Sequence, residues 1–174
     1  MLKRFDVNLN PRNTATSLDV LWSPPYHGWT KCNVDGVAIV SPWKWACGGI
    51  FKDSKAKHIL SFNIPLSCEP PSNAELLAAI IAMEKAMDLQ LNKFWLESDY
   101  TLVVKTFYNH ALVPWTIRSL WLVYWSYMMI IDFMITHIFR EANFCANILA
   151  SVGLDCNSSF WFHHVYRNIR KDFI

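Results

Sequence analysis

Lys31-Cys32-Asn33-Val34-Asp35-Gly36-Val37-Ala38-Ile39 and, shortly after it, Ala46-Cys47-Gly48-Gly49-Ile50-Phe51-Lys52 are two short, largely apolar runs separated by a few residues. Runs of this length and composition read as strands. The first carries an acidic residue and a glycine at its centre. The second carries Gly48-Gly49, which permits another backbone to approach closely. Asp53-Ser54-Lys55-Ala56 is a turn, and Lys57 to Ile64 is a third strand. Three strands joined by short connections predict an antiparallel meander.

Downstream the period changes. Pro65 to Pro71 is a loop, and Ser72 opens a helix to about Leu89. The face Glu75, Ala78, Ala79, Ala82, Ala86 has helical spacing and small side chains, which let the axis approach a sheet closely. Lys93 to Glu97 is a short strand, and Asp99 caps a helix to about Asn109. Pro114 starts another helix to about Met128. Ile130 to Ile138 is a strand, and Asn143 begins a last helix to about Val152. The order βββαβααβα places the chain in the α/β class. The meander requires antiparallel pairing, and strands separated by helices require parallel pairing. Upstream, residues 1–21 form a loose N-terminal arm, and Trp22-Ser23-Pro24-Pro25 is extended. The expected domain runs over 22–154, with a C-terminal tail over 155–174.

The 174 residues suit one core. With 53% hydrophobic and 17% charged residues, a mostly disordered chain is excluded. A net charge of +2 is a weak nucleic-acid footprint, and the dense basic cluster Arg167, Arg170, Lys171 reads first as a solvated helix end. The five cysteines form no C-x-x-C pair, which argues against zinc. With no apolar leader at Met1 to Asp6, they are expected to be reduced thiols in an intracellular protein. Leu120 to Ile135 is almost wholly apolar, but Asp132 interrupts it. The stretch Trp121–Ile131 is too short for a bilayer, so a buried helix running into a buried strand is expected, and no membrane span.

Asp35, Glu75, Asp99 and position 147 carry the chemistry. If the first and fourth strands lie side by side, Asp35 and Asp99 meet near the sheet centre, and the first helix can bring Glu75 to them. Singly, each has a plain reading. Asp35-Gly36 fits a turn. Glu75, three residues after Ser72, fits a capping box. Asp99 fits an N-cap. Together, clustered carboxylates repel and call for a cation, and oxygen ligands suit Mg²⁺ or Mn²⁺.

Five segments extend the pattern: Trp29 to Gly36, Cys47 to Ser54, Asn73 to Ala78, Leu96 to Asp99, and His137-Ile138-Phe139-Arg140-Glu141-Ala142-Asn143-Phe144-Cys145-Ala146-Asn147. In this order they resemble the plant-type ribonuclease H-like domain, which occurs in retroelement-derived reading frames and in stand-alone proteins. The resemblance implies a mixed five-stranded sheet flanked by helices. It implies a metal-dependent endonuclease that cuts the RNA strand of an RNA–DNA hybrid, with two Mg²⁺ or Mn²⁺ ions held by Asp35, Glu75, Asp99 and the residue at 147. It places His137 where a histidine helps move protons or release product.

Three departures stand out. Position 147 is Asn where the family has Asp, so three formal negative charges replace four, with weaker binding of one ion and lowered activity expected. Val37 to Lys44 lacks the family's glycines. Residues 117–129 carry a wide apolar stripe including Trp121, Trp125 and Met128, which suggests self-association beyond a core contact. Two other functions fit the same residues: a nucleic-acid-binding module with little cleavage, and an interaction domain.

Overall fold

The computed structural model describes residues 22–66 and 73–165. The expected arm 1–21, most of the loop before Asn73 with Ser72, and the basic cluster at 167–171 lie outside the described residues.

The chain forms β1 (Thr30–Val40), β2 (Trp43–Lys52), β3 (His58–Leu66), α1 (Ala74–Asp88), β4 (Lys93–Ser98), α2 (Thr101–Thr106), a 3₁₀ turn (His110–Leu112), α3 (Trp115–Met128), β5 (Asp132–His137), α4 (Phe144–Gly153) and β6 (Phe160–Phe162). The sheet order is β5-β4-β1-β2-β3-β6. The meander β1–β2–β3 is antiparallel, and β1–β4 and β4–β5 are parallel, as the element order requires.

Among the described residues the sheet has six strands, not five. Phe160–Phe162, in the segment expected as a tail, pairs antiparallel with Ser61–Asn63. Trp161 lies over Phe62, ring centres 5.0 Å apart. The contact of Trp161 with the buried Phe62 ring and closure of β3's open edge hold a strand too short for alternation to reveal. The first hairpin is also longer than expected. β1 and β2 continue to Val40 and Trp43, so strand pairing takes up most of the region without glycines.

Side chains alternate across β1. Cys32, Val34 and Gly36 face α1, while Lys31, Asn33 and Asp35 face the side that α4 covers. Ala74, Ala78, Ala79, Ala82 and Ala86 are buried, so α1 lies close on the sheet. The closest approach is at Gly36, where a Cβ would come within 2.3 Å of the Glu75 backbone nitrogen. On the other face, a Cβ at Gly48 would meet Ala150 N at the same distance. Both helices are thus seated beside Asp35, whose register partner is Gly48. Phe51, Phe94, Leu96 and Trp121 fill the core. Each such side chain contributes roughly 1.5–3 kcal/mol by leaving water.

α3 runs into β5 across the apolar stretch. Its inner stripe, Ile117, Trp121 and Met128, is buried, whereas Leu120, Leu122 and Val123 are exposed. Among the described residues no helix is long and apolar enough to cross a membrane.

Candidate metal centre

Parallel pairing of β1 with β4 sets Val34 beside Ser98, so Asp35 and Asp99 occupy the next rung. The chain turns there: the Tyr100 amide donates to Ser98 Oγ (3.1 Å), and α2 begins at Thr101. Glu75 enters from the opposite face, in the first turn of α1, through the gap left at Gly36. Oxygens of Asp35, Glu75 and Asp99 lie within 4.8 Å of one another. The three carboxylates proposed from sequence therefore converge.

The plain readings of Asp35 and Asp99 do not hold. Gly36 lies inside β1, not in a turn. Ser72, the capping partner expected for Glu75, lies outside the described residues, and Glu75 Oε2 accepts from the Gly36 amide at 2.8 Å. The residue before α2 is Tyr100, and Asp99 Oδ1 accepts from Asn143 Nδ2 at 3.0 Å.

The electrostatics show mutual strain. Burial pushes the Asp35 carboxyl up to about 7, reinforced by the charge of Asp99 and a hydrogen bond with it; Arg140 pulls the other way. Burial also pushes Glu75 up to about 8, with Asp35 and Asp99 adding repulsion, while the Gly36 amide and Arg140 oppose it. Compact, oxygen-only and short of cations, the cluster has the donor set of a hard divalent ion. Nothing in its chemistry conflicts with Mg²⁺ or Mn²⁺.

His137 ends β5 and is exposed. Its Nε2, in the tautomer carrying the proton there, donates to the Asp99 carbonyl at 3.0 Å. Asn147 is half-buried on α4, one turn after Asn143 and on the same face.

Two residues escaped the sequence reading. Asn143 looked like a helix start, yet its buried amide reaches both Val34 O (2.9 Å) and Asp99. Arg140 is an exposed cation whose field reaches Asp35 and Glu75, and among the described residues it makes no ion pair. Neither has a periodicity to betray it.

The reverse transcriptase-like family model matches residues 33–153. No protein of curated function matches the sequence. Solved structures do share the fold. The ribonuclease H1 of the halophilic archaeon Halobacterium salinarum is 23% identical, with a TM-score of 0.63 over 73% of this chain and 98% of its own. The N-terminal ribonuclease H domain of Mycobacterium tuberculosis rv2228c is 16% identical, with a TM-score of 0.64 over 73% of this chain and 94% of its own. The LC11 ribonuclease H1, solved with an RNA/DNA hybrid, is 18% identical, with a TM-score of 0.61 over 72% of this chain and 96% of its own. The chain belongs to the reverse transcriptase-like family, and its fold is that of a ribonuclease H-like domain.

Proposed function

We propose that this protein is a metal-dependent endonuclease that hydrolyses the RNA strand of RNA–DNA hybrids. The observation that carries this reading is the convergence of Asp35, Glu75 and Asp99, with oxygens within 4.8 Å, at the end of the β1–β4 pair. The fold shared with ribonucleases H, one of them solved on a hybrid, supports the choice of substrate.

When bound, two Mg²⁺ or Mn²⁺ ions would supply an acidified water and neutralise charge at the leaving oxygen. Asp35 and Asp99 would hold them from the sheet and Glu75 from α1, its carboxylate oriented by the Gly36 amide. Asn147 would offer a carbonyl in place of a fourth carboxylate, which weakens one ion's site and lowers the rate. His137, exposed beside Asp99, would carry a proton to or from the reacting phosphate. Arg140 would draw the phosphodiester to the site. Recognition would rest on backbone and 2′-hydroxyl contacts, because hybrid geometry offers little base reading. Cys32, Cys47 and Cys156 are free thiols, which suits the reducing interior of a cell.

The test is incubation of the purified chain with a labelled hybrid and Mg²⁺ or Mn²⁺, beside Asp35→Asn. RNA-strand cleavage that the variant loses is the expected result. Hybrid binding without cleavage would replace the enzyme by a binding module.

A second reading, an interaction domain pairing through residues 117–129, is favoured by the outer face of α3, where Val123 is 56% exposed and, at its ends, Trp115 82% and Ile130 80%. Sedimentation of the wild type against Leu122→Glu tests it: a dimer lost in the variant supports pairing, and a monomer in both dismisses it.

A further inference from the structure

We infer that Asn143 is the positioning residue of this centre: its side-chain amide sets the direction in which Asp99 presents its carboxylate, and anchors the α4 turn that carries Asn147. The inference rests on the metal-dependent reading above.

Asn143 stands just before α4, where an asparagine side chain ordinarily accepts a backbone amide of the first turn. It makes no such bond here. The residue is 1% exposed, and its Nδ2 donates instead to Val34 O at 2.9 Å and to Asp99 Oδ1 at 3.0 Å. Both protons of one nitrogen are used. That fixes the orientation of the amide, since turning it over would set Oδ1 against two acceptors. Asn143 Oδ1 has no partner among the described residues. A buried acceptor left without a partner is costly, so the side chain is held by what its nitrogen does.

Val34 and Ser98 are register partners on β1 and β4. One side chain at the start of α4 thus clamps the two strands where Asp35 and Asp99 begin to repel. With Oδ1 engaged, Asp99 presents Oδ2 to a cation. His137 holds the carbonyl of the same residue from β5, so main chain and side chain of Asp99 are each tied. Groups that orient a metal ligand without touching the metal commonly govern its affinity.

The test is calorimetric titration of Mn²⁺ into the full chain, wild type against Asn143→Ala and Asn143→Ser, with kcat and KM on the hybrid at saturating Mn²⁺. Asn143→Ala should weaken Mn²⁺ binding about 10–100-fold. It should lower kcat and leave KM within about twofold, the pattern of an interaction realised in the transition state. Asn143→Ser, which keeps one donor, should fall between, and it carries the test if the alanine variant does not fold. Unchanged Mn²⁺ affinity in the folded variants, with only a lower Tm, would overturn the inference and leave Asn143 a packing residue. A wild type that takes up no Mn²⁺ removes the metal reading and this inference together. One that binds Mn²⁺ but cuts no hybrid removes the nuclease reading alone, and the affinity series then decides the role of Asn143.

Discussion

Glu97 and Asp35 sit two rungs apart on neighbouring strands and are almost equally buried, at 6% and 4% exposure. Their surroundings are opposite. Glu97 accepts from Lys31 Nζ (2.9 Å), Asn33 Nδ2 (2.9 Å) and Thr136 Oγ1 (3.3 Å). Lys31 is itself enclosed: its ammonium donates to Ser23 O and lies 3.5 Å from the centre of the Trp95 ring, while Trp22 Nε1 donates to Asn33 Oδ1. Burial pushes the Lys31 ammonium down, and Glu97 pulls it back up. Two rungs on, Asp35, Glu75 and Asp99 share two neutral donors, Gly36 N and Asn143 Nδ2, and the field of an exposed arginine. Burial alone therefore does not mark the carboxylates proposed to hold metal. The lower rung has its own cation, whereas the upper rung is arranged to receive one.

The contrast can be broken from either side. The largest effect should be on cleavage: Asp35→Asn should lower the rate at least about a thousandfold, the equivalent of about 4 kcal/mol, measured in single-turnover assays. Next, Lys31→Met should turn the lower rung into an unpaired carboxylate. Stability should fall by about 3–5 kcal/mol in urea denaturation, and Lys31→Met with Glu97→Leu should recover most of it. The upper rung should show itself in pH dependence. Unfolded carboxyls titrate near about 4, whereas Asp35 and Glu75 are held at about 7 and about 8 in the fold. Across that window the folded state retains protons that the unfolded chain has lost. Metal-free stability should therefore fall as pH rises from about 4 to about 8, and be level below it. Saturating Mg²⁺ should flatten the slope, read as Tm against pH. The smallest effect is Asn147→Asp, which should raise cleavage by roughly tenfold, about 1.4 kcal/mol; no gain with metal still bound would remove position 147 from the site.

The sequence made the fold legible wherever a period was long enough to read. The alanine face of α1, the strand around Asp35 and the helix-separated strands led to the β1–β4 pairing and the carboxylate triad. Contacts made across the sheet by single side chains stayed hidden. Asn143 is 109 residues from Val34, and an asparagine before a helix has an obvious local role that here it does not play. Glu75 reads locally as a capping residue because Ser72 stands three residues before it; its bond to the Gly36 amide comes only from the approach of α1 to the sheet. The Lys31–Glu97 pair spans 66 residues and has no local signature.

The three residues of β6 bear on how the protein is prepared. The family match ends at residue 153, and a fragment cut there would lose Phe160–Phe162. Ser61 to Asn63 would then present unpaired amides and carbonyls along an outer strand, with Phe62 stripped of the Trp161 ring. Such an edge recruits the same edge of another molecule. A fragment ending at Gly153 should therefore precipitate or form sheet-extended aggregates on expression, with its carboxylate cluster untouched, while one carried through Val165 stays dispersed.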